Sequence, residues 1–166
     1  MVIFGGFIDG ERTAGSYRFN FKTSEWSAIL VDVSVGRPSA RAGHSAVVND
    51  KYMYIFGGKD NDDVLLNDLW RLDLESDVWE QVKVSDDSQV PQGRCGHSSV
   101  VYNGHILIFG GIFEITRELN DCYIFNLSNK RWLCLFNNSG QKVEVKSASE
   151  TKRMKTRRED SPDAAT

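Results

Sequence analysis

Three groups of residues in this chain carry side chains suited to chemistry. Cys95, His97 and His105 lie within eleven positions of one another and offer zinc donors. A structural zinc site pairs its ligands two to four residues apart and adds a fourth donor, a pattern this run does not complete. Asp60, Asp62 and Asp63 begin like a calcium loop. There, however, the twelfth position is Arg71, of the wrong charge, and the sixth is Leu65 where a glycine should turn the chain. Arg41 and Arg94 are candidate anion ligands. No Gly-x-Ser-x-Gly elbow and no Cys/His pair with an orienting carboxylate can be assembled. The expectation is therefore no catalytic residue, no metal and no cofactor.

Spacing gives the same residues another meaning. Arg41 and Arg94, and likewise His44 and His97, stand 53 residues apart, and Trp26, Trp79 and Trp132 return at that interval. The stretch from Arg41 to Trp79 reads R-A-G-H-S-A-V-V, K-Y-M-Y-I-F-G-G, a polar loop, then N-D-L-W-R-L-D-L-E-S-D-V-W. Arg94 to Trp132 repeats it as R-C-G-H-S-S-V-V, G-H-I-L-I-F-G-G and N-D-C-Y-I-F-N-L-S-N-K-R-W. A period near 50 residues signals a repeat architecture. Apolar runs rich in Val, Ile, Tyr and Phe, separated by Gly, Asn, Asp and Ser, predict four short strands per repeat. In the second repeat these are a (44–49), b (52–56), c (68–74) and d (79–84). One such sheet has too little core alone, and stacking sheets radially buries both faces.

The order of these features resembles the kelch repeat: Arg-x-Gly-His before strand a, a Gly-Gly pair closing strand b, an aromatic in strand c (Trp70, Tyr123) and Trp opening strand d. The resemblance covers roughly Met1 to Phe136. It implies an all-β fold, a β-propeller of kelch type that is incomplete, with two full four-stranded blades (41–84 and 94–136) and most of a third (1–31). V-I-F-G-G at 2–6 matches strand b, so the first blade starts without strand a. Some enzymes of the kelch family bind copper or iron with residues from many blades. This chain has too few blades and no matching ligand cluster.

The signature residues read as structural. Gly5, Gly6, Gly57, Gly58, Gly110 and Gly111 permit positive φ or close backbone approach, and no Gly-x-Gly-x-x-Gly or Gly-Lys-Ser/Thr pattern makes them a phosphate cradle. Trp26, Trp79 and Trp132 are expected to fill the space between adjacent blades. The guanidinium groups of Arg41 and Arg94 can satisfy several buried carbonyls at once. His44 and His97, in different blades, should lie far apart and serve as hydrogen-bonding groups. Cys122, aligned with Leu69, reads as a buried small hydrophobe, and Cys134 as a partly exposed residue of strand d.

What is left for function is surface. In an up-and-down blade the b–c and d–a connections share one face. Here these are 7–15, 59–67 and 112–120, and 32–42 and 85–95. Loops that differ on a repeated scaffold make recognition surfaces. Asp60, Asp62, Asp63, Asp86 and Asp87 would form an acidic rim able to steer a basic partner, or simply a solvated edge. Arg12 and Arg117 stand in the first and third b–c loops. The expected function is a protein–protein interaction module or scaffold, non-enzymatic. Within the resemblance a substrate receptor for ubiquitin ligation is one form, although no adaptor-binding domain is visible. The other class is a fragment of a propeller enzyme binding a metal or small molecule.

Composition agrees: 166 residues, 40% apolar and a net charge of −3 suit one globular domain. No run of about 20 apolar residues and no leader pattern is present, and three cysteines without paired spacing fit a reducing compartment. A cytoplasmic protein is expected, with neither membrane nor nucleic acid as partner. Residues 137–166 read as a disordered charged tail, net +2 from Lys142 onward, leaving −5 on the first 141 residues. Lys152–Arg158 is either a nuclear-import signal or solvated charge, and V-E-V at 143–145 alternates like a strand that could add to the first blade. Propellers generally need 4–8 blades. Further blades are therefore expected, from a longer chain of which this is a piece, the favoured reading, or from another subunit.

Overall fold

The computed structural model describes residues 1–32, 34, 36–114, 116–139 and 141. The expectations for V-E-V at 143–145 and for Lys152–Arg158 lie outside these residues. All regular structure described is β, in antiparallel sheets. The first sheet holds β1 (Val2–Phe4), β4 (Ser16–Asn20) and β5 (Glu25–Ala28). Between β1 and β4 the chain makes a small ribbon of β2 (Phe7–Ile8) and β3 (Glu11–Arg12). The second sheet runs β6 (Ser45–Asn49), β7 (Tyr52–Phe56), β8 (Leu69–Asp73) and β9 (Trp79–Gln81), each strand beside the next. The third is built alike from β10 (Ser98–Tyr102), β11 (His105–Phe109), β14 (Cys122–Asn126) and β15 (Arg131–Phe136), with a ribbon of β12 (Ile112–Phe113) and β13 (Arg117–Glu118) between β11 and β14. These are two four-stranded kelch-type blades and a three-stranded first one.

The registers repeat with the sequence. Leu72 faces Trp79 across β8–β9 and Phe125 faces Trp132 across β14–β15, while Ile55 faces Trp70 and Ile108 faces Tyr123. Asn103 and Gly104, both at positive φ (47° and 73°), make the tight turn between β10 and β11 that favours an Asn-Gly pair. Strand d of the second blade ends sooner than the apolar run suggests. Val82 still donates its N–H to Leu69 O at 2.8 Å, and the chain then leaves for the third blade.

The core lies between sheets. Phe4 and Ile29 of the first blade pack against Met53, Ile55, Leu72 and Trp79 of the second. Tyr54, Phe56, Leu69 and Val82 of the second pack against Ile106, Ile108, Phe125 and Trp132 of the third. Trp79 meets Phe4 at 5.0 Å between ring centroids and Trp132 meets Phe56 at 5.1 Å. Both indoles are sealed, at 1% and 0% exposure, whereas Trp26 is 50% exposed, contrary to the expectation for all three. The reason is positional. Each Trp packs on the strand-b phenylalanine of the blade before it, and no described residue lies before the first blade.

Candidate functional site

The Arg-x-Gly-His segment is the joint between blades. Arg41 accepts a hydrogen bond on its carbonyl from Gly6 N–H of the first blade (2.9 Å), and its guanidinium donates to Gly57 O of its own blade (3.1 Å). Arg94 repeats this with Gly58 N–H (2.8 Å) and Gly110 O (3.0 Å). A Cβ on Gly57 would stand 2.7 Å from Arg94 O, and one on Gly5 2.6 Å from Arg41 O. The first glycine of each pair is therefore needed for close approach as well as for its positive φ.

The arginines also do something the sequence reading did not assign. Arg41 grips both carboxylate oxygens of Asp68 (2.6 and 2.9 Å), and Arg94 those of Asp121, buried to 0% and 3% exposure of the two side chains. Burial opposes ionisation of Asp68, and the hydrogen bonds and charge of Arg41 overcome it, so the carboxyl stays below its ordinary range. The signal was present as the Asn-Asp pair before each strand c, also 53 residues apart. The first blade has Gly15 at that place. Both guanidinium groups are buried and turned to protein acceptors, with five hydrogen bonds for Arg41 and four for Arg94, rather than open to a solvent anion.

His97 lies across a blade joint from Ser45, with Nε2 2.7 Å from its hydroxyl. Both His44 and His97 are held down to about 4, by burial first and then by the neighbouring arginine. His97 is buried and His44 half-buried at the joints, where a neutral imidazole suits a packing and hydrogen-bonding place. Cys134 is buried rather than partly exposed, because Gln89 crosses strand β15 and takes the Cys134 N–H on its side-chain oxygen at 2.8 Å. Cys122 is only half-buried, on the outward side of the third blade. Burial pushes both thiols up from their ordinary range. Among the described residues no three His, Cys, Asp or Glu side chains are grouped to hold a metal ion.

The first and second b–c loops are tied to each other. Arg12, paired with Phe7 across the first ribbon, lies 5.2 Å over its ring, and Arg117 lies 5.9 Å over Phe113 in the third. Arg12 then reaches the second blade: its side chain donates to Asp63 (2.9 Å), its N–H to Asn61 Oδ1 (2.9 Å), and Asn61 Nδ2 donates to Arg12 O (3.2 Å). Asp63 also takes Lys59 Nζ at 2.9 Å, and Lys59 first, then Arg12, holds its carboxyl below the ordinary range. Asp60 turns the loop by accepting the N–H groups of Asp62 and Val64. Phe7, Ile8 and Val64 are left outside, at 62%, 53% and 53% exposure. Ile8 also lines an open cleft of about 730 Å³ between the first ribbon and the connection at Arg37 and Pro38.

Asp86 and Asp87 are elsewhere. Ser85 N–H donates to Lys130 O, and Asp87 pairs with Arg131 at 3.0 Å, which puts this segment beside the c–d turn of the third blade, the end opposite the b–c loops. The connection is long enough to descend there and climb back along β15, where Gln89 N–H donates to Trp132 O. The acidic rim is thus split, and of its three members in the second b–c loop Asp63 is paired while Asp60 and Asp62 have no cationic partner among the described residues.

Comparison with known proteins agrees with this geometry. Residues 1–154 match the family described as KLHDC2/KLHL20/DRC7 Kelch-repeats domain. The chain is similar to the leucine-zipper-like transcriptional regulator 1 homolog of Drosophila melanogaster, 36% identical over 78% of this chain and 14% of that protein. It is similar to the Rho GTPase-activating protein gacHH of Dictyostelium discoideum, 32% identical over 80% of this chain and 9% of that one. The Kelch domain-containing protein 10 of Homo sapiens is 32% identical over 59% of this chain and 25% of its own length. The chain thus spans a quarter or less of these relatives. No helix among the described residues is long and apolar enough to cross a membrane. Repeated blades, the Arg and Gly-Gly joint and the match over nearly the whole chain lead to one conclusion: the chain belongs to the kelch-repeat family.

Proposed function

We propose that the kelch unit at 1–136 is a non-enzymatic protein-interaction module of the cytoplasm, and that the b–c loop face is where it takes its partner. The observation that carries this reading is the tie between blades at Arg12, Asn61 and Asp63. It holds two loops in one arrangement while Phe7, Ile8 and Val64 stay exposed, Ile8 at the edge of the cleft. Apolar side chains held rigid in water are already ordered for contact, which lowers the entropy cost of binding. Asp60 and Asp62 add negative charge to the rim, and Arg117 a cation at its far side, so a partner with an apolar centre and a basic flank fits best. A receptor that hands such a partner to ubiquitin ligation is one form this role can take.

Partner capture by proximity cross-linking should compare the wild-type chain with Phe7→Ser/Ile8→Ser and with Asp60→Lys/Asp62→Lys. Capture lost at unchanged melting temperature supports the loop face. Capture retained by both variants defeats it. The charge variant should also lose more capture at low salt than at high salt.

A further inference from the structure

The turn between β10 and β11 ends a chain of hydrogen bonds whose direction is fixed throughout. Asn126 Oδ1 accepts the N–H groups of Ser128 (2.9 Å) and Asn129 (3.1 Å), which sets the orientation of its amide. Its Nδ2 therefore faces His105 and donates to Nε2 at 3.1 Å. The other ring nitrogen, Nδ1, lies 2.8 Å from Asn103 O, a group that can only accept. A neutral His105 thus carries its proton on Nδ1 and donates it to the Asn103 carbonyl, because the bond made by one ring nitrogen assigns the other. The second blade has Tyr52 in the place of His105 and cannot form this relay.

That carbonyl belongs to the peptide unit whose nitrogen is Gly104 N. Gly104 N–H meets no acceptor among the described residues, and a Cβ built on Gly104 would have nothing within 4 Å, so the space about this nitrogen is open. Asn103 and Gly104 are both exposed. Asp50 and Lys51, at the same turn of the second blade, are exposed as well although a third blade follows. The exposure therefore comes from the turn's place at the end of a blade and not from where the stack stops.

We propose that Asn103 is a site of self-modification by deamidation, promoted by His105. Gly104 N attacks Asn103 Cγ, and the new N–C bond forms as the Cγ–Nδ2 bond breaks. The Gly104 proton passes to a solvent base and the amide nitrogen leaves as ammonia. Water then opens the cyclic imide at either carbonyl, giving aspartate or isoaspartate, and nothing is oxidised or reduced. The nitrogen reacts only once its proton is lost, and the bond from His105 Nδ1 draws charge onto the oxygen of the same amide, which favours that loss. Asn103, at φ 47°, must also swing about its own backbone to bring Cγ over the nitrogen, a movement that a following glycine opposes least. An isoaspartate adds a backbone carbon to the turn that pairs Tyr102 with His105, and turn length fixes register. The change should loosen β10 and the Arg94–His97 segment that leads into it.

The test is incubation of the 166-residue chain at neutral pH, followed by peptide mapping for amide-to-acid conversion and by methyl labelling with an isoaspartate methyltransferase. Asn103 should convert several-fold faster than Asn61 and Asn129, which are also exposed but precede residues with side chains. His105→Phe should slow Asn103 several-fold in native buffer, while in urea, where the relay is gone, the two chains should convert at one rate. Asn103→Gln should remove the methyl label from this turn, and the aged wild type should melt lower in step with isoaspartate at 103. Conversion at Asn103 no faster than at Asn61 and Asn129 overturns the proposal. An equal or faster native rate in His105→Phe overturns it too, as does a difference that persists in urea. The turn lies beside the c–d turn of its blade, where Leu127 N–H donates to Gly104 O at 3.1 Å, away from the b–c loops, so this idea and the proposed function fail separately.

Discussion

Arg94 and Asp121, 27 residues apart in the chain, meet through two hydrogen bonds in the third blade where neither side chain reaches water. Removing one partner of such a pair leaves an uncompensated buried charge, which costs about 3–5 kcal/mol. Asp121→Ala should therefore be severely destabilising in urea titration. Asp68→Ala, whose side chain is 23% exposed, should cost measurably less because water can reach the stranded Arg41. Equal losses for the two would contradict the assignment of burial as the deciding difference.

Trp79→Ala and Trp132→Ala each empty a sealed joint between blades and should cost about 3–5 kcal/mol. The indole N–H of Trp79 donates to Ser16 Oγ at 3.4 Å, while that of Trp132, with Leu69 at the equivalent place, has no partner among the described residues. Ser16→Ala should then cost no more than about 1 kcal/mol. Binding should fail in the Trp variants only as the fold fails. Partner capture lost at an unchanged melting temperature would refute a structural role.

Gly57→Ala and Gly110→Ala impose the same backbone strain, with φ of 66° and 65°. They differ in surroundings: a Cβ at 57 meets Arg94 O at 2.7 Å, while one at 110 meets only Leu119 O at 3.0 Å. Both should lose about 1–2 kcal/mol to the left-handed conformation, and Gly57→Ala should lose more on top, because Arg94 is anchored and cannot retreat. Chemical denaturation of the two variants side by side measures the difference. A larger loss at Gly110 would show that the joint is softer than its hydrogen bonds indicate.

His44 and His97 set a pH dependence. Folding holds each imidazole at about 4, against roughly 6.5 in the unfolded chain. Between those values the unfolded chain takes up protons that the folded one refuses, so stability is full above about 6.5 and falls as the pH drops to 4. Below about 4 both states are protonated and this loss levels off, at roughly 3 kcal/mol per histidine. Urea midpoints between pH 7 and 4 should show the slope, and His44→Gln/His97→Gln should flatten it. A slope unaltered by the double variant would move its origin to the carboxylates.

Much of the fold was readable because repetition multiplies weak signals. The interval of 53 placed the strands to within one or two residues, apart from the early end of strand d in the second blade, and strand b of that blade, Tyr52–Phe56, fell where the apolar run put it. The candidate site was less legible. Arg12 was singled out, but not its tie to Asn61 and Asp63, since that tie joins loops some 50 residues apart that have no periodic counterpart. Asp86 and Asp87 were grouped with Asp60 by topology, and the path of a long connection along β15 is not encoded in its composition. Asp68 and Asp121 repeated in plain view, yet a carboxylate beside a strand reads as a turn residue until its arginine is found.

By itself the sequence determined the three successive blades, the order of their strands and the glycine and arginine positions at each joint, though not the two small ribbons in the loops. Those depend on local backbone geometry and on side chains that recur at a constant interval. Only the tertiary structure decided that Trp79 and Trp132 are sealed while Trp26 is open, and that Phe109 faces outward at the other end. Three equal tryptophans differ because burial depends on the neighbouring sheet, and a neighbour is a property of the stack that no single repeat contains.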